Sequence, residues 1–245
     1  MPVMNISKSP KPAGSARFRP RFGHALTYGL AVLSLCGAVG ALSVLSGKVQ
    51  AATLPDAAMD MPAAASAPQK VVLAGGCFWG MQAVFEHVRG VTHVVAGYAG
   101  GTKDTADYET VSSGTTGHAE SVEITYDPAR VSFGQLLKVY FQVAHDPTEL
   151  NRQGPDTGTQ YRSSIFFTTP EQQKVAAAYI AQLDHAKTFD MPIVTEIVPL
   201  QGFYEAEAYH QDYAEQHPDN PYIAINDLPK LADLQNELPS LYVSK

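Results

Sequence analysis

Cys77 stands in the stretch Gly75-Gly76-Cys77-Phe78-Trp79-Gly80, between glycines and two large aromatics that include the chain's single tryptophan. The chain has two cysteines, and the other, Cys36, lies in an apolar N-terminal run, which leaves Cys77 without a disulfide partner. A thiol at the N-terminus of a helix is favoured as thiolate by the unpaired N–H groups of the first turn, so a lowered pKa and a reactive nucleophile are expected. Flanking glycines let backbone or substrate come close. Free cysteines are more commonly buried and inert. An unpaired thiol in an exported chain is a liability unless it is used, and that shifts the balance toward a reactive Cys77.

A second group stands out by parity. In the alternating stretch Ser121 to Tyr126, the residues Glu120, Val122, Ile124 and Tyr126 share one face, which places a carboxyl among apolar side chains. Desolvation there raises the pKa and keeps the group protonated near neutral pH, ready to act as a general acid. The competing reading is a strand-end carboxylate bent out to solvent. Tyr108 and Tyr161 are hydroxyl donors of the right kind, although for any single tyrosine ordinary packing is the favoured reading.

A thiolate, an acid that protonates oxygen, phenol donors and the Phe78–Trp79 pair, able to hold an apolar group, together suit attack on an electrophile whose oxygen departs. Three rivals remain open at this level. His210 as a base for Cys77 would make a cysteine hydrolase; Cys77 attacking a peroxide would make a thiol peroxidase; an exported module that recognises methyl groups would need no turnover. Metal has little to recommend it: among the eight histidines, His118, His145, His210 and His217 have no ligand spacing. The segment Gly97 to Asp104 lacks the ending and spacing of a phosphate-binding loop.

The elements that must position these groups begin at Lys70. Lys70–Gly75 reads as a buried strand and Phe78–Gly90 as a helix with a glycine stop, which puts Cys77 at a strand-to-helix turn. Strands follow at 91–98 and 121–127, separated by a long polar loop. Ser132 with Gln135 reads as a capping box opening a helix through 133–146. After a second long loop come a strand at 163–169, then a helix from about Pro170 to Lys187 with Thr169 as N-cap. A strand at 192–200 and a final helix at 205–217 complete the order. The alternation predicts an α+β fold: one two-layer domain, a mixed sheet with packed helices in ferredoxin-like βαβ units, and long irregular loops. Loops of that length in a compact domain point to function. Leu228, Leu231, Leu234, Leu238 and Leu241 in the tail are expected to cover the core.

The chain is 245 residues long, with a formal net charge of −7 and 17% charged residues. That composition suits one sizeable domain and argues against a nucleic-acid partner, since there is no clustered Lys or Arg in the body of the chain. The N-terminus differs. Lys8, Lys11, Arg17, Arg19 and Arg21 precede an uncharged apolar run from Ala25 to Gly47, and Val49 and Ala51 fit a small-residue cleavage site. Residues 1–51 are therefore expected to be a signal peptide, with an uncleaved membrane anchor as the alternative. Either way the body is exported, to the periplasm in the first reading. Residues 52–69, rich in Ala, Pro and Met, read as a flexible linker, and 70–245 as the functional domain with a C-terminal tail from about 225.

Four motifs, "GGCFWG", "GHAESVEITYDP", "GTQYRS" and "AYHQDY", appear in this order and closely resemble the type A peptide methionine sulfoxide reductases over about residues 70 to 224. The resemblance implies Cys77 as the nucleophile on the sulfoxide sulfur, Phe78 and Trp79 as the pocket for the substrate methyl, and Glu120 as the acid on the sulfoxide oxygen. It further implies Tyr108 and Tyr161 as hydrogen-bond donors to that oxygen and Asp156 as an acidic residue of the same pocket. The implied activity is reduction of methionine S-sulfoxide in proteins, and of the free amino acid, through a sulfenic acid, as repair of oxidative damage and without a cofactor. Many members carry further cysteines that resolve the sulfenic acid as a disulfide; this tail has none. A one-cysteine enzyme reduced by an external thiol, a thioredoxin-like protein or a small thiol such as glutathione, is the consequence.

Overall fold

The computed structural model describes residues 53–61 and 67–245. The expected leader lies outside the described residues. In chain order the elements are β1 (Gln69–Gly75), α1 (Phe78–Glu86), β2 (Val91–Ala99), α2 (Tyr108–Val111), β3 (Ala119–Tyr126) and α3 (Phe133–Val139). Then come β4 (Arg152–Gln153), β5 (Asp156–Thr157), β6 (Ser163–Phe167), α4 (Pro170–His185), β7 (Glu196–Pro199), β8 (Phe203–Glu205), α5 (Tyr213–Gln216) and α6 (Leu228–Glu237).

Six strands form one mixed sheet in the order β7-β6-β1-β3-β2-β8, in which β6 and β7 are parallel and every other pair is antiparallel. Its centre, β6-β1-β3-β2, is the split βαβ arrangement expected from the sequence, with β3 inserted between the two strands that α1 connects. The side-chain alternation decides the layers. Val71 and Leu73 of β1, Val122, Ile124 and Tyr126 of β3, and Val94 and Ala96 of β2 face one core with the buried residues of α1, α3 and α4. The opposite face carries only a small apolar patch around Val72, Ala74 and Phe166. The α+β class and the two-layer build follow as the sequence indicates.

Local chemistry explains the helix starts. Ser132 accepts from the Gln135 backbone N–H (3.1 Å) while the Gln135 side chain accepts from the Ser132 N–H (3.0 Å), the reciprocal box at the head of α3. Thr169 caps α4 by accepting from the Gln172 N–H, with Pro170 in the first turn.

The structure departs from expectation in two places. The segment expected to be the final helix, 205–217, is instead the end of β8, a tight turn at Ala208–His210, left-handed Asp212 (φ 54°) and the one-turn α5. Gln211 stops a helix there, because its side chain is committed to the Ala96 N–H and C=O of β2 and to the Ala206 C=O. The last long helix is α6, in the tail, where Leu234, Leu238 and Leu241 are buried and Leu231 is half-buried, while Leu228 stays exposed.

The second departure lies in the expected linker. Residues 53–61 are a strap seated on α3 and α4. Leu54 is buried, its N–H donates to Gln142 Oε1 (2.6 Å), and the Tyr179 hydroxyl donates to the Pro55 C=O (2.7 Å). Asp60 accepts from the Gly134 N–H (2.8 Å) and from the Ser132 hydroxyl. Composition suggests an unpartnered segment because these partners are supplied by helices far along the chain.

Candidate active site

Two turns bring the chemistry together. At the end of β1, Gly76 adopts φ 91°, a region that L side chains avoid, and a Cβ there would meet Gln153 at 2.6 Å. That turn delivers Cys77 as the N-cap residue of α1. From β3, Glu120 points to the same spot, on the helix-facing side that parity predicts, and its Oε2 accepts the Phe78 N–H (3.1 Å). The β4–β5 ribbon carries Asp156, and the turn after it carries Tyr161. Tyr108 opens α2, whose N-cap Asp107 accepts from the Thr110 N–H (3.0 Å).

All seven residues singled out from the sequence, Cys77, Phe78, Trp79, Tyr108, Glu120, Asp156 and Tyr161, line one cavity of about 190 Å³. An eighth wall residue, Tyr222, was not among them. Its hydroxyl donates to an Asp156 carboxylate oxygen, and its ring meets Trp79 edge-on at 6.0 Å. Tyr222 follows the last motif-bearing stretch, and nothing in its local pattern marks it. Wider surface grooves of about 430 and 550 Å³ lie beside Phe189, but neither contains a thiol or a carboxyl facing one. Chemistry, not size, marks the smaller cavity.

The electrostatics of the two central groups differ from one another. Burial pushes the Glu120 carboxyl up to about 8, against the pull of the Phe78 N–H, with Asp156 and Asp227 adding to the rise. The expected protonated acid is therefore present at neutral pH. The Cys77 thiol, expected to be lowered by the helix N-terminus, is instead raised well above its ordinary value. Burial contributes most, followed by the negative charges of Glu120 and Asp227, and these outweigh the Trp79 backbone N–H. Cys77 rests as a thiol. Asp227 is the residue that the sequence did not announce. It is buried, its carboxyl is pushed up to about 6 by burial, and it sits where a Cβ on Gly80 would go.

His210, weighed as a base for Cys77, is committed elsewhere: its Nδ1 accepts the Trp79 indole N–H at 3.1 Å. The hydrolase reading loses its general base. Tyr213 stacks on the same indole, with centroids 3.9 Å apart. Among the described residues one acidic group, Glu86, Asp212 and Glu215, comes close enough to share a cation, but Lys245 Nζ already lies 2.8 Å from Glu86. None of the three lines the thiol cavity.

Residues 69–240 match the peptide methionine sulfoxide reductase family. The chain is similar to "Peptide methionine sulfoxide reductase MsrA 2" of Mesorhizobium japonicum, 58% identical over 182 residues, covering 74% of this chain and 93% of that protein. It is also 54% identical over 187 residues to a protein of the same name from Synechocystis, covering 75% and 87% respectively. Among solved structures, reduced Mxr1 from Saccharomyces cerevisiae superposes with a TM-score of 0.58 at 32% identity, over 62% of this chain and 87% of that one. Methionine sulfoxide reductase A of Corynebacterium diphtheriae does so with 0.55 at 35% identity, over 64% and 79%. A motif-bearing thiol turn, a protonated acid beside it and a match over most of the described chain agree, and this chain belongs to the peptide methionine sulfoxide reductase family.

Proposed function

We propose that Cys77 is the nucleophile and Glu120 the acid with which this chain reduces methionine sulfoxide in oxidised proteins, acting on the S epimer at sulfur. The observation that carries the reading is a lone thiol and a carboxyl held protonated by burial, both lining one cavity walled by Phe78 and Trp79. A sulfoxide is a poor electrophile until its oxygen is protonated, so thiol and acid must act together.

Glu120 gives its proton to the sulfoxide oxygen while the Cys77 sulfur attacks the sulfoxide sulfur. The new sulfur–sulfur bond and the sulfur–oxygen bond then break as the oxygen passes to the Cys77 sulfur, which leaves a sulfenic acid and the free thioether. The thiol's own proton replenishes Glu120, so the sum is thiol plus sulfoxide giving sulfenic acid plus thioether. The Tyr108 and Tyr161 hydroxyls hydrogen-bond the oxygen. Burial, with Glu120 next, raises both phenol pKa values and keeps them donors. Phe78 and Trp79 receive the methyl, and Asp156 with Tyr222 closes the wall. With the acid fixed in one place, a chiral cavity fits one configuration at sulfur.

Protonation of Glu120 also removes the largest charge opposing the Cys77 thiolate. The proton that makes the acid therefore eases ionisation of the nucleophile.

Residues 52–245 contain no second cysteine, so two external thiols must return Cys77 to its thiol. The first displaces water to leave a mixed disulfide and the second releases Cys77. A thioredoxin-like protein or a small thiol such as glutathione supplies them. Free methionine sulfoxide is a further substrate, because the residues assigned here address only the side chain. Residues 1–51 act as an export signal or as an N-terminal anchor, which places the domain and its reductant outside the cytoplasm, in the periplasm. That placement rests on the basic and apolar pattern of the leader.

The test is a single turnover without reductant, on peptides carrying each sulfoxide epimer. About one methionine per chain is expected from the S epimer only, with the Cys77 thiol lost and a sulfenic acid trapped by a 1,3-diketone. Cys77→Ser should yield none. Absence of methionine from both epimers would overturn the reading, and peroxide consumption by the same protein would then favour the peroxidase.

A further inference from the structure

Asp227 stands at the N-terminus of α6, yet its side chain makes no capping bond to that helix. The carboxyl turns instead onto the first turn of α1. A Cβ on Gly80, three residues after Cys77, would overlap Asp227 Oδ1, so the glycine is what gives the carboxyl its seat. The side chain is 1% exposed, and its Oδ1 faces the Lys230 ammonium at 3.5 Å. Oδ2 is buried with no hydrogen-bond partner among the described residues. A buried carboxylate with one oxygen unpaired costs free energy, so its retention calls for a use.

The charge of Asp227 reaches the Cys77 sulfur. Burial is the largest influence against a thiolate there; among the charges, Asp227 comes after Glu120 and ahead of Asp156, although Asp156 lines the cavity and Asp227 does not. At neutral pH Glu120, at about 8, keeps its proton, whereas Asp227, raised by burial only to about 6, has lost its own. Asp156 has its carboxylate bonded by the Tyr222 hydroxyl, and burial keeps the phenols of Tyr108, Tyr161 and Tyr222 neutral. Lys230, from α6, keeps Asp227 ionised.

A field of this sign hinders the attack on the sulfoxide, so it does not serve that step. It acts equally on the product, a sulfenic acid. The anion of that acid is the form that peroxide oxidises further, just as the thiolate is the reactive form of the thiol. Residues 52–245 hold no second cysteine to consume the sulfenic acid, which must therefore last until an external thiol arrives.

We infer that the buried Asp227 carboxylate protects Cys77 from irreversible oxidation, by opposing negative charge at its sulfur and so keeping the sulfenic acid neutral until a thiol reduces it. The reaction held back is attack of the sulfenate sulfur on hydrogen peroxide. The O–O bond breaks, sulfur gains one oxygen and loses two electrons, and the departing hydroxide takes the proton of the transferred oxygen, which gives sulfinate and water. The inference rests on the sulfenic acid of the proposed function, but peroxide also makes that acid directly from the thiol, so the two are tested separately.

In the experiment, reduced full-length protein is treated with hydrogen peroxide at pH 7. Sulfenic acid, trapped with a 1,3-diketone, and sulfinic acid are followed on the Cys77 peptide by mass spectrometry. Asp227→Asn and Asp227→Ser both remove the charge. Each is expected to form sulfinic acid about tenfold faster than wild type, the change in anion fraction that one pKa unit produces. Their single-turnover release of methionine should not fall, because the lost charge opposed the nucleophile. The pH at which iodoacetamide alkylates Cys77 half-maximally should lie above that of a free cysteine in wild type and about one unit lower in the variants.

A folded neutral variant that forms sulfinic acid at the wild-type rate would overturn the inference. So would a wild-type alkylation midpoint at or below that of a free cysteine, whether or not a variant folds. Absence of methionine release from either epimer would sink the proposed function instead, and the peroxide series would still decide the part played by Asp227.

Discussion

Glu120 carries opposite consequences for activity and for stability. Its folded pKa of about 8 lies above the ordinary 4.5, so the folded chain holds a proton that the unfolded chain releases between those values. Stability is therefore undiminished below 4.5 and is lost progressively as pH rises toward 8, at about 1.4 kcal/mol per pH unit for this one group. Glu120→Gln keeps the shape and an acceptor for the Phe78 N–H but has no proton to lose. The variant is expected to melt at a higher temperature than wild type at pH 8 and at the same temperature at pH 4, as read by calorimetry. Its turnover should fall by roughly 10²- to 10⁴-fold, the usual worth of a positioned acid, and the loss of rate expected of wild type as pH rises through about 8 should be absent from the variant. Equal activity would remove Glu120 from the mechanism.

At the scale of elements, the β1–α1 turn is the part with least freedom. Gly76 is the one residue type that takes φ 91° there without strain, and Gln153 fills the space beside it while bonding both the N–H and the C=O of Asp146. That glutamine fixes the β4–β5 loop, and with it Asp156, against the turn that carries Cys77. Gly76→Ala should cost about 1–3 kcal/mol in denaturant unfolding from backbone strain alone. It should lower kcat/KM further than that loss of stability would suggest, because the turn and Asp156 move together. A variant with wild-type kcat/KM would show that the cavity tolerates movement at this joint. The other end of α1 is held by the tail, where the Val243 N–H donates to the His87 C=O (2.9 Å) and Lys245 pairs with Glu86. The tail that bears no cysteine serves as a clamp on the catalytic helix.

For the whole molecule, the strap at 53–61 makes the folded unit larger than the motif-bearing region. Leu54 alone is worth about 1.5–3 kcal/mol of apolar burial. A chain starting at residue 67 should melt roughly 3–12 °C below one starting at residue 53, given about 2–4 °C per kcal/mol for a domain of this size. Sulfoxide reduction should be unchanged below that melting temperature, since no strap residue lines the thiol cavity. Equal melting temperatures would show that the strap adds no stability in solution.

The sequence by itself determined what depends on neighbours along the chain. The alternation of helix and strand, the Ser132–Gln135 box and the face that Glu120 takes on β3 all follow from local periodicity and capping; the motifs carry Cys77, Phe78, Trp79, Glu120 and Tyr161, and the family resemblance adds Tyr108 and Asp156 to the same function. Only the tertiary structure decided what depends on groups brought together from distant segments. The Cys77 thiol is raised rather than lowered because Glu120 from β3 and Asp227 from the tail join burial against the local helix terminus. His210 sits in a quoted motif, yet its partner is an indole 131 residues away, and Tyr222 meets Asp156 across 66 residues of sequence. The strap reads as unstructured because its hydrogen-bond partners lie on α3 and α4. A pKa, a tautomer and a docked segment are properties of the surrounding field and packing, and no local pattern encodes them.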